Sequence, residues 1–323
     1  MSAPAGPPQG RAAPSGGGEQ SSLRGETIRK LVVVGVGLIG GSAALALKAR
    51  GAVESVIGVG RSQPNLDEAL ARGIVDRALP LSARWTAELA DADVVLVAAP
   101  VAQYAALFAA IAPAVGPHTI VTDAGSTKQD VVLAARAAFG DALPRFVPAH
   151  PIAGSEHSGA SAATATLYAE RTAVVTPLPE TDAGAVATVR ALWETCGASV
   201  AVMDAATHDR IFAAVSHLPH MLAFALVAEL AARPDAALYF THAASGFRDF
   251  TRIAGSSPEM WRDIAIANRD ALGREIAAFR ATLDRMAALV AAGDGAALEA
   301  LLAEASAARR RWAQSSPVAR TGQ

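Results

Sequence analysis

The sequence predicts an α/β domain with a doubly wound parallel sheet, followed by an all-α domain. Four short β-branched runs alternate with helical stretches in the first half, namely LVVVG at 31–35, SVIGVG at 55–60, DVVLVAAP at 93–100 and HTIVTDAG at 118–125. Strands joined by helices of this length pair in parallel, and their nearly continuous apolar character is typical of strands covered on both faces. After Pro179 the pattern changes to long Ala/Leu-rich helical stretches, which predict the second domain.

These patterns divide the chain into four segments. Residues 1–26, rich in Pro, Gly, Ser and Ala, and residues 316–323 are predicted to be disordered tails. Residues 27–180 are predicted to form the α/β domain, and residues 181–315 the helical domain. Further short strand candidates are RFVPAH at 145–150, RTAVVTP at 171–177 and ASVAVMD at 198–204.

The apolar stripes of the helical domain bear on its assembly. The stretches 212–230 and 268–292 are apolar over a face wide enough to pack on more than one neighbour. We therefore expect a homodimer formed through the helical domain.

The composition indicates which kind of partner the protein binds and in which cellular compartment it works. The chain has 323 residues, 18% of them charged, with a formal net charge of −2, so it offers no basic field for nucleic acid and favours a small charged metabolite. The single cysteine, Cys196, makes neither an internal disulfide nor a zinc site, which predicts the cytoplasm. The most apolar stretch, 211–230, has Ser216, His217, Pro219 and His220 at its centre, so no membrane span is expected.

A glycine turn follows the first β-branched run. Gly35, Gly37 and Gly40 directly follow that run and open an Ala/Leu-rich helical stretch, which is the context of a Rossmann-type dinucleotide site. Gly35 permits the tight turn, Gly37 lets the backbone approach a pyrophosphate, and Gly40 allows the helix to pack closely on the strand. A plain strand-to-helix turn is the alternative. The predicted cofactor-binding residues here are Gly35, Gly37, Leu38, Ile39 and Gly40.

The end of the second run bears on which dinucleotide binds. A carboxylate there would accept a hydrogen bond from the ribose 2′-hydroxyl of NAD, but the residues are Gly60, Arg61 and Ser62. Arg61 and Ser62 could hold a 2′-phosphate, so NADP is predicted to bind at least as well as NAD. The alternative is a solvated arginine, or one stacked on adenine. Pro100, at the end of the third run, is also placed among the cofactor-binding residues.

Four further clusters contain residue types suited to chemistry, namely GSTK at 125–128, HPIAGSE at 150–156, SHLPH at 216–220 and FRDFTRIA at 247–254. Together with the glycine turn, and in this order, they resemble the prephenate and arogenate dehydrogenase family over residues 28–312. The resemblance implies an oxidative decarboxylation, in which hydride leaves the hydroxyl-bearing ring carbon for nicotinamide and CO2 leaves the opposite carbon. Prephenate would give 4-hydroxyphenylpyruvate, and arogenate would give tyrosine.

The residue types match the demands of that reaction. A base must accept the hydroxyl proton as hydride departs, and a neutral imidazole suits this task. The resemblance implies that His150 is the base and that Ser126 orients the hydroxyl and the nicotinamide. The alternative is that His150 is a structural histidine of the core or of a loop, without a catalytic role.

The substrate carboxylates call for a planar, bidentate donor. Arg252 fits by type and by resemblance, with Arg248 and Asp249 in support, although a structural ion pair is the alternative. The resemblance places His217 at the carboxylate or side-chain end of the substrate, with His220 supporting it. Ser216 is counted with the substrate-binding residues, as is Glu156, which either gates the pocket or pairs with a basic group. His217 and His220 lack a third ligand nearby, so no metal is expected.

Two other functions stay open at this point. One is a hydroxy-acid or imine dehydrogenase of the same two-domain plan, which would often use a lysine in the helical domain, but the chain has no lysine after residue 180. The other is a dinucleotide-sensing protein without catalysis. The choice between prephenate and arogenate is likewise open.

Overall fold

The computed structural model describes residues 27–82, 84–155 and 157–315, so both predicted tails lie outside the described residues. Six parallel strands form the main sheet in the order β3-β2-β1-β4-β5-β6. They are β1 (Ile28–Val34), β2 (Val53–Gly60), β3 (Arg77–Pro80), β4 (Val94–Val97), β5 (Ile120–Asp123) and β6 (Phe146–Val147). The strand order reverses between β1 and β4, and ligands of open α/β sheets bind at the carboxyl ends of the strands at such a point.

Helices cover both faces of this sheet, which confirms the predicted doubly wound α/β fold. They are α1 (Leu38–Ala49), α2 (Gln63–Ala71), α3 (Tyr104–Ile111), α4 (Gln129–Phe139) and α5 (Ala183–Thr195). Alternate residues of β1 enter different cores, because successive strand residues point to opposite faces. Leu31 belongs to the core that contains residues of α1, α2 and α5, whereas Val32 belongs to the core that contains residues of α3 and α4.

The edge strand β3 was missed by the sequence analysis. It pairs with β2 and contains both Arg77 and Pro80. Proline lacks the N–H that a central strand needs, so a strand of this composition is confined to an edge, where hydrophobic patterning is weak.

A second, three-stranded sheet follows the first. It consists of β7 (Ala149–Pro151), β8 (Thr172–Val175) and β9 (Ser199–Val202), with β7 antiparallel and β9 parallel to β8. The run 145–150, predicted as one strand, is therefore divided at Pro148 between β6 and β7. The Pro148 carbonyl accepts a hydrogen bond of 2.9 Å from the Thr176 N–H.

The helical domain begins later in the structure than the predicted boundary at residue 180. Trp193 of α5 lies in the same core as Leu31, and β9 completes the second sheet. Both elements were assigned to the helical domain by composition, yet their packing joins them to the α/β domain. The helical domain accordingly starts at Ala205.

A run of helices completes the described chain. They are α6 (Ala205–Phe212), α7 (Leu218–Ala231), α8 (Ala236–Thr241), α9 (Ser245–Thr251), α10 (Pro258–Ala267), α11 (Arg269–Ala292) and α12 (Gly295–Ser315), with a π-helical turn at Ala213–His217 between α6 and α7. Trp261 and Ile264 of α10 pack on Val101, which follows β4. This contact joins the helical domain to the ligand-binding edge of the sheet.

The run Ala205–Ala231 is long and apolar enough to cross a membrane when judged by length and composition alone. It also contains His208, Asp209 and His217, which are buried in polar contacts with other parts of the fold. Such contacts are typical of a core helix. The predicted absence of a membrane span stays a prediction.

Candidate active site

The glycine turn has the geometry of a dinucleotide site. Gly35 has a φ of +103°, and a Cβ there would lie 2.4 Å from the Ala98 carbonyl oxygen. A Cβ on Gly40 would lie 2.4 Å from the Gly35 carbonyl oxygen, whereas one on Gly37 would meet no atom within 4 Å. Gly37 also caps the N-terminus of α1. It therefore faces open space at a positive helix end, which suits a pyrophosphate.

The other predicted cofactor residues border the same edge. Leu38 and Ile39 form the start of α1, and Pro100 precedes the turn after β4, the strand next to β1. Arg61 is exposed directly after β2. Ser62 caps α2 without a side-chain capping hydrogen bond, so its hydroxyl is not engaged by that helix.

Asn65, in the first turn of α2, fixes that helix to the glycine turn, and sequence reasoning missed it. Its Nδ2 donates to the Val36 carbonyl over 2.6 Å, and its Oδ1 accepts from the Ala160 N–H over 2.7 Å. One side-chain amide thus joins the first turn of α2 to the glycine turn and to the segment at Ala160.

A buried ion pair closes the loop that carries Ser126. Lys128 Nζ lies 2.5 Å from Asp123 Oδ2, and both side chains are 0% exposed. Asp123 also accepts from the Gly125 N–H over 2.7 Å and from the Ala149 N–H over 3.0 Å, while Lys128 Nζ donates to the Ala149 carbonyl over 2.7 Å. The pair therefore ties the end of β5 to β7, the strand that carries His150.

His150 is hydrogen-bonded into a chain of polar side chains. Its Nδ1 lies 2.9 Å from His208 Nε2, and His208 Nδ1 lies 2.8 Å from Asp209 Oδ1. The Asp209 carboxylate in turn accepts from the N–H groups of Lys128 and Gln129 over 2.8 and 2.9 Å. His208 and Asp209 were not singled out from the sequence. His208 stands 58 residues beyond His150, and no spacing along the chain connects the two.

Burial sets the protonation states of the hydrogen-bonded residues His150, His208 and Asp209. It is the main cause that holds the pKa of His150 well below the ordinary histidine value, and positive charge at His208, Lys128 and His217 would add to the effect. Burial also lowers the pKa of His208, although Asp209 opposes this. For Asp209, burial alone would raise the pKa, but hydrogen bonds from His208 and the two N–H groups lower it overall. At neutral pH the two imidazoles are neutral and the carboxylate is ionised.

His217 ends the π-helical turn, a local geometry that often marks functional sites. Burial lowers its pKa to about 4. Asn268 Nδ2 lies 3.2 Å from His217 Nδ1 and also donates to the Asp209 carbonyl. Because an amide NH2 only donates, we assign the His217 hydrogen to Nε2. The main chain of Ser126 lies close by, yet no described group meets the geometry of a hydrogen bond to Nε2.

The remaining predicted residues meet around Trp261. The His220 ring stacks on Trp261 with ring centroids 3.6 Å apart, and its Nδ1 contacts the Ser216 carbonyl over 2.9 Å. Burial lowers the pKa of His220, the hydrogen bond to the Ser216 backbone opposes this, and the charge of Arg252, exposed in the turn after α9, adds a smaller lowering. The His217 ring centroid is 6.1 Å from that of Trp261. Trp261 therefore packs beside both histidines of the SHLPH segment.

Other predicted residues are not brought into the site. Glu156 lies outside the described residues, and the residue after it, His157, which was not predicted to belong to the site, is exposed beside a surface cavity of about 330 Å³. Arg248 and Asp249 pair with one another over 3.2 Å, with side chains 77% and 71% exposed, so their support of Arg252 stays a prediction. In the part of the chain that the structure describes, no group of His, Cys, Asp and Glu could hold a metal ion.

Known proteins match this chain over both domains. The family model for the prephenate dehydrogenase nucleotide-binding domain matches residues 43–202, and that for the prephenate dehydrogenase dimerization domain matches residues 204–304. The cyclohexadienyl dehydrogenase of Zymomonas mobilis is 34% identical over 83% of this chain and 90% of its own length.

Two solved structures are similar across nearly their whole length. The prephenate dehydrogenase of Aquifex aeolicus, in complex with hydroxyphenyl propionate and NAD+, has a TM-score of 0.83 and 32% identity, covering 89% of this chain and 99% of its own. The arogenate dehydrogenase of Synechocystis has a TM-score of 0.72 and 31% identity, and the match covers 88% of this chain and 99% of its own.

Proposed function

The chain belongs to the prephenate dehydrogenase family, and on this premise we propose which of its residues carry out the oxidative decarboxylation of prephenate, arogenate or both. The reaction removes hydride from the hydroxyl-bearing ring carbon and CO2 from the opposite carbon, and the ring becomes aromatic. One observation carries the assignment of residues. His150 and the Ser126 loop meet His217 of the helical domain at the carboxyl edge of the sheet, where the glycine turn also lies.

His150 is the proposed general base. A neutral imidazole accepts the substrate hydroxyl proton as hydride leaves, and the low pKa of His150 keeps it neutral at physiological pH. The Ser126 hydroxyl orients the same substrate oxygen, because the Asp123–Lys128 pair fixes its loop against β7.

Arg252 and His217 are the proposed substrate-binding residues. The guanidinium of Arg252 suits bidentate binding of a carboxylate. His217 is neutral at physiological pH and presents its Nε2–H as a donor to a substrate oxygen. The roles of Ser216 and Glu156 in substrate binding stay predictions.

The cofactor is a nicotinamide dinucleotide, which accepts the hydride when bound. Gly37 and the N-terminus of α1 would hold its pyrophosphate. We propose that NADP binds at least as well as NAD, because the turn after β2 presents Arg61 and Ser62 and no carboxylate.

We expect Arg61→Ala to weaken NADP binding by roughly 10-fold or more and to leave NAD binding nearly unchanged, since a hydrogen bond to a charged group contributes about 1.5–3 kcal/mol. Titration calorimetry with both dinucleotides measures the two affinities. Arg171→Ala, which removes an exposed guanidinium just before β8, is the matched control. A strong NAD preference in the unmodified protein would contradict the proposal.

Turnover with each substrate and cofactor tests the function itself. Prephenate and arogenate are each supplied with NAD and with NADP, and the formation of reduced nicotinamide is followed by absorbance. We expect turnover in at least one of the four combinations. Absence of turnover in all four, with protein that binds dinucleotide, would overturn the proposed function.

A homodimer through the helical domain is also proposed. Helix α11 buries only Ala271 and Leu272, and large apolar side chains stand exposed along one of its faces at Ile276, Phe279 and Leu283. Their spacing of three and four residues places them on one stripe. Such a stripe is normally covered by a partner, and the matching family model describes a dimerization domain.

Replacing Phe279 and Leu283 together by Lys is expected to convert the dimer to a monomer at micromolar concentration, because it places two charges in an apolar contact. Sedimentation velocity measures the mass. Leu133→Lys, on α4 of the α/β domain and 68% exposed, should leave the mass unchanged. A monomeric unmodified protein would refute the proposed dimer, and a dimer that survives the double substitution would show that another surface forms it.

We place the enzyme in the cytoplasm as a further proposal. Cys196 is free and buried, and burial raises the pKa of its thiol to about 12. A thiol of this kind suits a reducing compartment and has no evident role in the reaction.

A further inference from the structure

We propose that His208 and Asp209 are positioning residues that fix the tautomer of His150 and take up the charge of the proton that His150 accepts. The inference rests on the proposed role of His150 as base. It concerns two residues at the start of the helical domain that no sequence motif marked. Their hydrogen bonds determine which ring nitrogen of His150 is free to react.

The direction of each hydrogen bond follows from Asp209. An ionised carboxylate only accepts, and Asp209 already accepts from the N–H groups of Lys128 and Gln129 at the N-terminus of α4. His208 Nδ1, 2.8 Å from Asp209 Oδ1, must therefore carry a hydrogen. A neutral His208 then has its lone pair on Nε2.

The same argument extends to His150. Its Nδ1 lies 2.9 Å from His208 Nε2. Because His208 Nε2 carries a lone pair and no hydrogen, it can only accept. His150 Nδ1 must therefore donate, which leaves the lone pair of the imidazole on Nε2. Nε2 is thus the proton-accepting atom, and Asp209 selects it through His208.

The opposite arrangement is disfavoured by charge. If His150 Nδ1 accepted, His208 would carry hydrogens on both nitrogens and be cationic before the reaction. His208 is fully buried, so a positive charge on its ring would be unfavourable, and repulsion from the Lys128 ammonium would make it more so. The groups facing the pair are the ionised Asp209, the Asp123–Lys128 ion pair and His217, which is neutral above a pKa of about 4.

The hydrogen bonds from His150 to His208 and on to Asp209 also provide a path for charge during the reaction. As the substrate O–H bond breaks, an N–H bond forms at His150 Nε2. The Nδ1 proton of His150 then moves to His208 Nε2, and the positive charge comes to rest beside the Asp209 carboxylate, which stays ionised. The proton count is conserved, and a cation is moved next to a fixed anion. Helix α4 stabilises that anion through the two N–H groups at its start.

His208→Gln tests the role of the imidazole. A glutamine can donate to Asp209 and accept from His150, but it cannot be protonated. We expect kcat to fall about 10- to 100-fold, less than the roughly 10²- to 10⁴-fold that a general base itself contributes, because His150 is still present. The acidic limb of the pH profile of kcat should move to lower pH, because a proton accepted by His150 can no longer pass to a ring nitrogen beside Asp209. Substrate KM and dinucleotide affinity should stay close to those of the unmodified protein.

The controls separate positioning from folding. His118→Gln, at an exposed histidine, should leave both kcat and its pH profile unchanged. Circular dichroism and dinucleotide binding show whether His208→Gln is folded. A folded variant that keeps kcat and the acidic limb of the unmodified protein would overturn the proposal, and so would one that loses activity with the acidic limb unmoved. Activity of the unmodified protein reports on the proposed function separately.

A second measurement does not depend on turnover. Nitrogen-15 NMR of histidine-labelled protein distinguishes pyrrole-type from pyridine-type ring nitrogens, and the His150 signals are assigned as those lost in His150→Asn. We expect His150 Nδ1 to be of the pyrrole type and Nε2 of the pyridine type. The reverse assignment would overturn the proposed tautomer whatever the kinetics show. His208→Leu, which removes both hydrogen bonds, should mix the two tautomers of His150.

Discussion

His150→Asn should lower kcat by about 100-fold or more, since general base catalysis contributes roughly 10²- to 10⁴-fold. The asparagine amide occupies the position of the Nδ1 side of the ring and keeps a donor toward His208, but it provides no group at Nε2 that could accept a proton. The loss therefore falls on the chemical step. Substrate KM and dinucleotide affinity should change little, because the proposed contacts of Arg252 and Gly37 remain.

Steady-state kinetics on both proteins measures this effect. His157→Asn is the matched control, because His157 is exposed and stands seven residues further along the chain. It should keep the kcat of the unmodified protein. A His150→Asn variant whose kcat stays within about tenfold of the unmodified value would remove His150 from the role of base.

Lys128→Met should lower the free energy of unfolding by about 3–5 kcal/mol, the cost of breaking a buried ion pair by removing one partner. Methionine fills the space of the lysine stem but leaves the fully buried Asp123 carboxylate without a cation. The hydrogen bonds from Gly125 and Ala149 remain and offset only part of this cost. The loop that carries Ser126 also loses its tie to β7.

Urea unfolding followed by circular dichroism gives the free energy of unfolding. Lys48→Met is the matched control, since Lys48 pairs with Asp76 over 2.6 Å with side chains 23% and 44% exposed. Its loss should be below about 1 kcal/mol, as for other surface pairs. Equal losses for the two variants would show that the burial of the Asp123–Lys128 pair carries no extra energetic weight.

Local rules predicted much of the fold. The β-branched runs became β1, β2, β4 and β5, because alternating and continuous apolar patterns reflect burial directly. The glycine positions were also predictable, since Gly35 requires a positive φ and Gly40 leaves no room for a Cβ. These backbone requirements arise within a turn of a few residues, where residues close in the sequence are also close in space.

Contacts between distant segments were not predictable in this way. β3 has the composition of an exposed edge, and α5 resembles the helices of the second domain although it packs with the first. Asn65, whose partner Ala160 lies 95 residues away, carries no motif that would mark it.

The sequence by itself determined the dinucleotide turn, the order of elements and the residue types suited to the reaction, because these depend on local backbone geometry and on hydrophobic period. Only the tertiary structure decided that His150 is hydrogen-bonded to His208 and Asp209 and that Lys128 is buried against Asp123. The physical reason is that hydrogen bonds and ion pairs depend on distances of about 3 Å. The distances from His150 to His208 and Asp209 are set when the two domains pack, and the burial of the nearby pair Asp123 and Lys128 is set by the packing of β5 against β7. Spacing along the chain encodes neither.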